Sequence, residues 1–509
     1  MSFRVAPLPL SWGLLIYSVV SLVLFNLPLL GFVLEQKGGF GITFSVCVAY
    51  ICVTSMAFAM LSIFGLRMLR FFCSLFSLCN ALALYFVNTY HTLLTRDMMG
   101  NVLNTNFKEA SGFLGWHLWL YVLLGLLVAV GCWLLPLKPS RFKHKLYFIL
   151  GSGLVFAFWG AIHTKQWLFF DKHAKAIGGL VAPYNYSINT ARAALLFLKT
   201  APLKRFGLVP LQVRGRVVVL AIGESARRAN YGIYGYNKPT TPKLQELLNH
   251  HEILALKATS CATYTTAALT CILNAKSGYE NLPLFLHRQG VKVVWLSLND
   301  GPPPMDVDWS PPLSILHRWF KEVGLDSKII DYDEALALAL PHVLARYPKD
   351  NLLVILHLKG SHGPLYVDKV PKGFAPFKPI CTHNELDACQ SAALINAYDN
   401  TIIYNDKVLD IAVQNLSHTP RQAMLLYMSD HGESLGEHGL YLHGTPYLIA
   451  PDFQKQVPFI VYINPAFKAH LQAKPLKPDY TQDMIFSSVL HAFGLQKSPA
   501  YNPKLDIFQ

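Results

Sequence analysis

The rhythm of hydrophobic positions changes near residue 166. Upstream, residues 12–34, 42–64, 70–91, 114–136 and 145–165 form five apolar stretches. Each is long enough for the roughly 20 residues that a membrane-spanning helix needs. Downstream the apolar runs shorten to strand length: Val217–Ile222, Val291–Leu298, Leu352–Leu358, Ala423–Met428 and Pro458–Ile463. β-Branched and large aliphatic residues fill these runs without alternation, which predicts strands buried on both faces. Helical patterns lie between them, as at Thr241–His250 and Leu394–Val413, and Ala226-Arg227-Arg228 reads as a helix start. Strands alternating with helices predict an α/β domain whose mostly parallel sheet is sandwiched between helices. The expected organisation is a helical membrane domain over 1–165, with a loop helix near 97–112, then a bridge over 166–212 and a soluble domain over 213–509. In the bridge, Trp167-Leu168-Phe169-Phe170 precede Asp171, Lys172, His173 and Lys175, the pattern of an amphipathic stretch lying in a membrane interface.

Composition supports this division. The chain is 52% hydrophobic and only 15% charged, against about 25% charged in soluble domains, and the deficit falls in residues 1–200. The net charge of +14 would suit a nucleic-acid partner if the cations were clustered. They are scattered and flank apolar segments, so a nucleic-acid partner is not expected. The first stretch is too long for a signal peptide and lacks a small-residue cleavage site, so it reads as an anchor. Arg4, then Arg67 and Arg70, then Lys138, Arg141, Lys143 and Lys145 occupy alternate loops. The positive-inside rule places those loops and the amino terminus in the cytoplasm, and five crossings carry everything after residue 166 to the other side.

Candidate chemistry sits where strands end. Ala423–Met428 runs into Ser429-Asp430-His431-Gly432-Glu433-Ser434, and His443-Gly444 follows. Val217–Ile222 runs into Gly223-Glu224-Ser225. Leu352–Leu358 runs into Lys359-Gly360-Ser361-His362-Gly363-Pro364. A lone acid or histidine after a strand is more often a cap or a surface residue. Glu224, His362, Asp430, His431 and His443 together, at the carboxyl ends of strands where open α/β sheets keep their sites, are the ligand set of Zn²⁺. A nucleophile is expected in the hydroxyl-rich segment Ser260–Cys271, because a metal ion lowers the pKa of a coordinated hydroxyl. Five of the nine cysteines lie in the apolar stretches; Cys261, Cys271, Cys381 and Cys389 do not. In an oxidising compartment proximity would pair them as Cys261–Cys271 and Cys381–Cys389, whereas a four-thiolate metal site lacks CxxC spacing. In the loop after the third stretch, Asn101, Thr105 and Glu109 recur at every fourth residue and share one helix face. That face could hold a polar lipid headgroup, including an amine, or could simply be solvated.

These segments, with Gly235-Tyr236, Thr241-Pro242 and Ala397-Tyr398-Asp399-Asn400-Thr401, resemble the lipid A phosphoethanolamine transferases. These are inner-membrane enzymes of Gram-negative bacteria in the alkaline phosphatase/sulfatase superfamily. The resemblance runs the whole length of the chain. It implies a nucleophilic threonine four residues after Cys261, which is Thr265; Thr263 and Thr266 lie close enough that the assignment rests on register. It implies one zinc on Glu224, Thr265, Asp430 and His431, with His362 and His443 serving a second zinc or the phosphate and aiding proton transfer. Asn101, Thr105, Glu109 and Asn299 match positions that contact the donor headgroup. The implied reaction moves phosphoethanolamine from phosphatidylethanolamine to lipid A through a phosphoethanolaminyl-threonine, releasing diacylglycerol, in a monomer whose partners are membrane lipids and whose catalytic domain is periplasmic. The chain departs from the family after Val291–Leu298. There it reads Asn299-Asp300-Gly301-Pro302-Pro303-Pro304, without the cysteines of a third disulfide or the lysine that some members carry. Two rivals are a phosphoglycerol transferase of the lipoteichoic acid synthase type and a membrane-anchored sulfatase-like hydrolase; the sulfatase Cys/Ser-x-Pro-x-Arg signature is absent.

Overall fold

A computed structural model describes residues 6–36, 39–104, 107–163, 166–198, 202–299, 307–473 and 477–508. Its contacts divide the chain into two units. One comprises residues 1–105 and 114–199; the other comprises Asn106–Phe113 and Thr200–Gln509.

The first unit is helical. Gly39–Phe64, Leu66–Tyr90 and Phe142–Ile162 are each long and apolar enough to cross a membrane. Leu10–Phe25 and Leu27–Glu35 qualify as a pair, bent by 63°. Leu118–Leu134 is apolar but only 17 residues long. The bend falls at Asn26, just before Pro28, whose ring cannot continue the preceding helix. The Asn26 side chain occupies the break, accepting from the Ala182 N–H at 2.9 Å and donating to the Ala182 carbonyl at 3.1 Å. Tyr50 donates to the same carbonyl and meets Ser21; Asn80 reaches Ser21 and accepts from Tyr186. These buried polar side chains thus find partners, as burial away from water requires. The bridge forms two helices, Trp167–Leu180 and Tyr184–Leu198, which pack through Leu180 and Ala193 against Leu29, Val33 and Val87.

The second unit is built on strands β1 (Val217–Gly223), β2 (Ile253–Thr259), β3 (Lys292–Ser297), β4 (Leu352–His357), β5 (Ala423–Ser429), β6 (Ser434–Leu435), β7 (Tyr441–Leu442), β8 (Gln456–Ile463) and β9 (Tyr480–Thr481). Seven of them form one sheet in the order β3-β4-β1-β5-β8-β2-β9; β6 and β7 form a small separate hairpin. β3, β4, β1 and β5 are mutually parallel, and every residue of β1, β4 and β5 is buried. β8 runs antiparallel to both β5 and β2. The sheet is therefore mixed rather than simply parallel. One face packs on a core containing Trp295, Phe285, Phe459 and Phe486. The long helix Ser391–Ser417 buries Tyr398, Ile402, Val408 and Leu416. No α-helix starts at Ala226; the chain turns instead, with a short 3₁₀ segment over Arg228–Asn230. Ser225 takes a left-handed φ of 55° there, which a continuing right-handed helix would forbid.

Candidate active site

The parallel core delivers three loops to one end of the sheet. β1 and β5 are paired in register, Gly223 beside Ser429, so the next residues of each strand, Glu224 and Asp430, emerge side by side. Both are fully buried, as is His431. The turn after β4 is tied to the same place: the Ser361 N–H donates to the Glu224 carbonyl at 2.8 Å. Gly360 has φ +53° there, and a Cβ on it would stand 2.4 Å from the Glu224 carbonyl oxygen. Only glycine permits that approach. Gly432 is constrained equally, since a Cβ would lie 2.0 Å from the Phe453 carbonyl oxygen.

Thr265 is the first residue of the helix Thr265–Leu273. Its Oγ1 lies 3.4 and 3.2 Å from the two Glu224 carboxylate oxygens and 3.3 Å from His431 Nε2. Thr263 is turned away, its hydroxyl donating to the Thr445 carbonyl, and Thr266 is exposed. A Cys261–Cys271 disulfide ties the loop before this helix to the helix itself; Cys381–Cys389 closes a second loop. A hydroxyl at a helix amino terminus meets the positive end of the peptide dipoles, which favours negative charge at that position.

The Glu224, Asp430 and His431 ligand atoms lie within 4.8 Å of one another. His431 Nε2 stands 3.2 Å from both Glu224 Oε1 and Asp430 Oδ2, yet among the described residues nothing donates a hydrogen bond to Asp430 Oδ2. A buried carboxylate oxygen without a donor costs free energy unless a cation meets it. Corners of a regular tetrahedron about 3.3 Å apart lie about 2.0 Å from its centre, the bond length of zinc to nitrogen or oxygen. Glu224, Thr265, Asp430 and His431 therefore fit a divalent cation in donor chemistry, and the separations of Thr265 from Glu224 and His431, and of His431 from Glu224 and Asp430, fit it in spacing. The electrostatics agree. Burial and the adjacent Glu224 charge push Asp430 up to about 8. Burial opposes protonation of His431, but Asp430 and Glu224 outweigh it and raise the imidazole to about 10.

His362 and His443 stand beside this group, with the His443 ring 4.3 Å from His431 and 5.1 Å from His362. The three rings share one device. Nδ1 of His431 faces the Gly432 carbonyl, that of His362 the Gly363 carbonyl, and that of His443 the Glu433 carboxylate at 2.8 Å. Each neutral ring then carries its proton on Nδ1 and its lone pair on Nε2. Burial first, and the His431 charge second, lower the His443 pKa and keep that ring neutral.

The Asn299 amide donates to Glu224 Oε2 at 2.8 Å, so it bears directly on the carboxylate. Asn101 lies in the helix Arg96–Asn104 of the first unit; Thr105 and the Glu109 side chain fall outside the described residues. Phe113, from the short segment grouped with the second unit, stands edge-on to His362 at 6.5 Å.

Sequence reasoning passed over several supporting residues. Glu433 is fully buried and accepts from Tyr366 and the Gly363 N–H through one oxygen while holding His443 with the other. Asp333 accepts from the Lys359 and Gly360 N–H groups at 2.8 and 2.9 Å, fixing the turn that carries His362. Gln482 donates to the Ser429 and Asp430 carbonyls. Glu433 had a signal, two residues from His431 in a glycine-framed loop; the other two had none.

A mixed α/β sheet with carboxylates and imidazoles at the ends of its parallel strands defines a domain of the sulfatase superfamily, and the Sulfatase family model matches residues 216–495, more than half of the chain. The model described as phosphoethanolamine transferase EptA/EptB matches residues 52–196. The phosphoethanolamine transferase EptA of Helicobacter pylori is 41% identical over 507 residues, covering 97% of this chain and 96% of its own. EptA of Salmonella typhimurium is 32% identical and covers 86% of this chain and 85% of its own. Among solved structures, the integral membrane lipooligosaccharide phosphoethanolamine transferase A of Neisseria meningitidis superposes with a TM-score of 0.86 at 26% identity, covering 97% of each chain. The chain belongs to the phosphoethanolamine transferase family. That membership decides against the phosphoglycerol transferase and hydrolase readings.

Proposed function

We propose that this transferase moves phosphoethanolamine from phosphatidylethanolamine to lipid A by way of Thr265, at a zinc held by Glu224, Thr265, Asp430 and His431. The observation that carries the reading is the Thr265 hydroxyl at a helix amino terminus, 3.2–3.4 Å from Glu224 and His431. Zinc bound there would acidify the Thr265 hydroxyl and offset charge on the phosphoryl oxygens. Glu224, itself oriented by Asn299 and Ser225, aims the hydroxyl. Thr265 Oγ attacks phosphorus; the bond from phosphorus to the glycerol oxygen breaks, and diacylglycerol leaves with a proton. An acceptor oxygen then attacks the phosphothreonine, the bond from phosphorus to Oγ breaks, and Thr265 is reprotonated. His443 and His362, each with its Nε2 lone pair directed by a pinned Nδ1, are placed to take the acceptor proton or to steady the phosphate, and the same pair could hold a second zinc.

The bent pair, the three long helices and Leu118–Leu134 serve as five spans; the amino terminus is cytoplasmic, and the catalytic unit of this monomer is periplasmic. Donor and acceptor are both membrane lipids, which accounts for an enzyme anchored by so much apolar chain. Asn101, Thr105 and Glu109 supply the donor headgroup contacts. Mass spectrometry of lipid A from cells with and without the gene tests the acceptor. One added phosphoethanolamine, present with the parent and absent with Thr265→Ala, is expected. Diacylglycerol release with unmodified lipid A would move the acceptor elsewhere.

A further inference from the structure

The first unit contains a cavity of about 400 Å³ with a two-sided lining. Leu10, Leu14, Ala59 and Phe148 form its apolar wall; Lys138, Arg141, His144 and Lys145 rim it, and among the described residues no acidic side chain lines it. The chain builds this cavity deliberately. The amino-terminal arm pairs with the loop before Phe142–Ile162: the Leu8 N–H donates to the Pro136 carbonyl at 2.7 Å, and the Lys138 N–H to the Leu8 carbonyl at 2.8 Å. Leu137 seats over Gly13, where a Cβ would stand 2.5 Å from its side chain. Lys145 spends one ammonium hydrogen on the Ser62 carbonyl and keeps two for another partner. The surrounding charge is one-sided: residues 1–11, 62–70 and 135–148 contain seven Lys and Arg and no Asp or Glu.

We infer that this cavity binds an anionic phospholipid of the phosphatidylglycerol class, its phosphodiester among Lys138, Arg141 and Lys145 and an acyl chain along Leu10, Leu14 and Phe148. An apolar wall meeting a cationic rim at the end of membrane helices matches a lipid, which joins hydrocarbon to phosphate in one molecule. A zwitterionic headgroup brings its own cation to the rim and gains less. The inference goes beyond the transfer reaction, since the site lies in the first unit and requires neither Thr265 nor the metal ligands.

Native mass spectrometry of the full-length protein in detergent, titrated with dioleoylphosphatidylglycerol, tests it without reference to activity. One saturable lipid is expected. Lys138→Gln with Arg141→Gln should weaken binding by about 25-fold, at about fivefold per cation. The charge-matched pair Arg67→Gln with Lys143→Gln, which lies off the cavity lining, should leave binding within about twofold of the parent. Phosphatidylcholine should bind more weakly, and inorganic phosphate at the same concentration should not displace the lipid. Equal weakening in both double variants would reduce the effect to surface charge and overturn the site. Equal affinity for phosphatidylcholine, or displacement by inorganic phosphate, would overturn the ligand.

Discussion

Asp333 is not among the proposed zinc ligands, yet the site should depend on it. Its carboxylate holds the Lys359 and Gly360 N–H groups at 2.8 and 2.9 Å, and the same turn bonds to the Glu224 backbone through Ser361. Asp333→Ala strands both donors. Gly360 is buried, so its N–H loses about 1–3 kcal/mol; Lys359 is partly exposed, and water recovers much of its share. The total is about 2–4 kcal/mol. Asp333→Asn keeps one acceptor and removes the cost of a buried carboxylate, which burial already pushes above the usual range. It should cost less than half as much as alanine. At about 2–4 °C per kcal/mol for a domain of this size, Asp333→Ala should melt about 4–16 °C lower. Local opening of the turn should also lower kcat more than KM, because it displaces His362 rather than the donor. Differential scanning fluorimetry of the full-length protein, with transfer kinetics on a fluorescent phosphatidylethanolamine, reads both effects. An alanine variant melting within about 1 °C of the parent, or an asparagine variant as damaged as alanine, would refute the reasoning.

Metal affinity should climb steeply with pH. Asp430 at about 8 and His431 at about 10 are both raised, so a cation must displace protons from them below pH 8. One or two protons released per zinc give a gain of about 10- to 100-fold per pH unit between pH 6 and 8, and a flat chelator-competition titration would contradict this. Glu433→Gln should leave His443 and Tyr366 with a weaker acceptor and cost about 1–2 kcal/mol, seen as a distorted pH–rate profile with zinc content unchanged. Reducing the Cys261–Cys271 loop, or replacing both residues by serine, should remove about 2–3 kcal/mol by the loop-entropy model and lower the melting temperature; peptide mapping that finds Cys261 and Cys271 as free thiols in the parent would rule that out. Gly360→Ala should abolish zinc binding, because its Cβ meets backbone of Glu224 rather than a movable side chain; a zinc-loaded variant would show that the turn can yield.

The site was legible where hydrophobic pattern and chemistry coincide. Continuous apolar runs announce β1 and β5, and a carboxylate following such a run can only emerge at the strand end, so Glu224 and Asp430 declared themselves. β2 did not. Its burial is uneven, with Ile253, Leu256 and Ala258 buried and Lys257 exposed, and Lys257 cuts its apolar run to the four residues Ile253–Leu256. β9 is two residues long and takes its place by pairing with β2. The direction of β8 was hidden for another reason: an apolar run is the same whether read up or down, and the antiparallel pairing with β5 depends on the connection between them. At Ala226–Arg228 local preference lost to the site. Asp430 and Ser429 accept from the Ser225 and Ala226 N–H groups and hold the chain out of a helix. A left-handed Ser225 costs about 1–3 kcal/mol, a strain the surrounding hydrogen bonds must outweigh. Asp333 and Gln482 act across long sequence separations on backbone groups, and nothing in their neighbours' chemistry reveals that.

The proposed chemistry turns on which oxygen takes the phosphoryl group. The full-length protein, incubated with phosphatidylethanolamine without acceptor, acid-quenched and digested, can be searched peptide by peptide for the adduct. One phosphoethanolaminyl unit on Thr265, absent after Thr265→Ala and after zinc chelation, is the predicted result. Turnover of the donor with the unit on Thr263, Thr266 or no residue at all would contradict it.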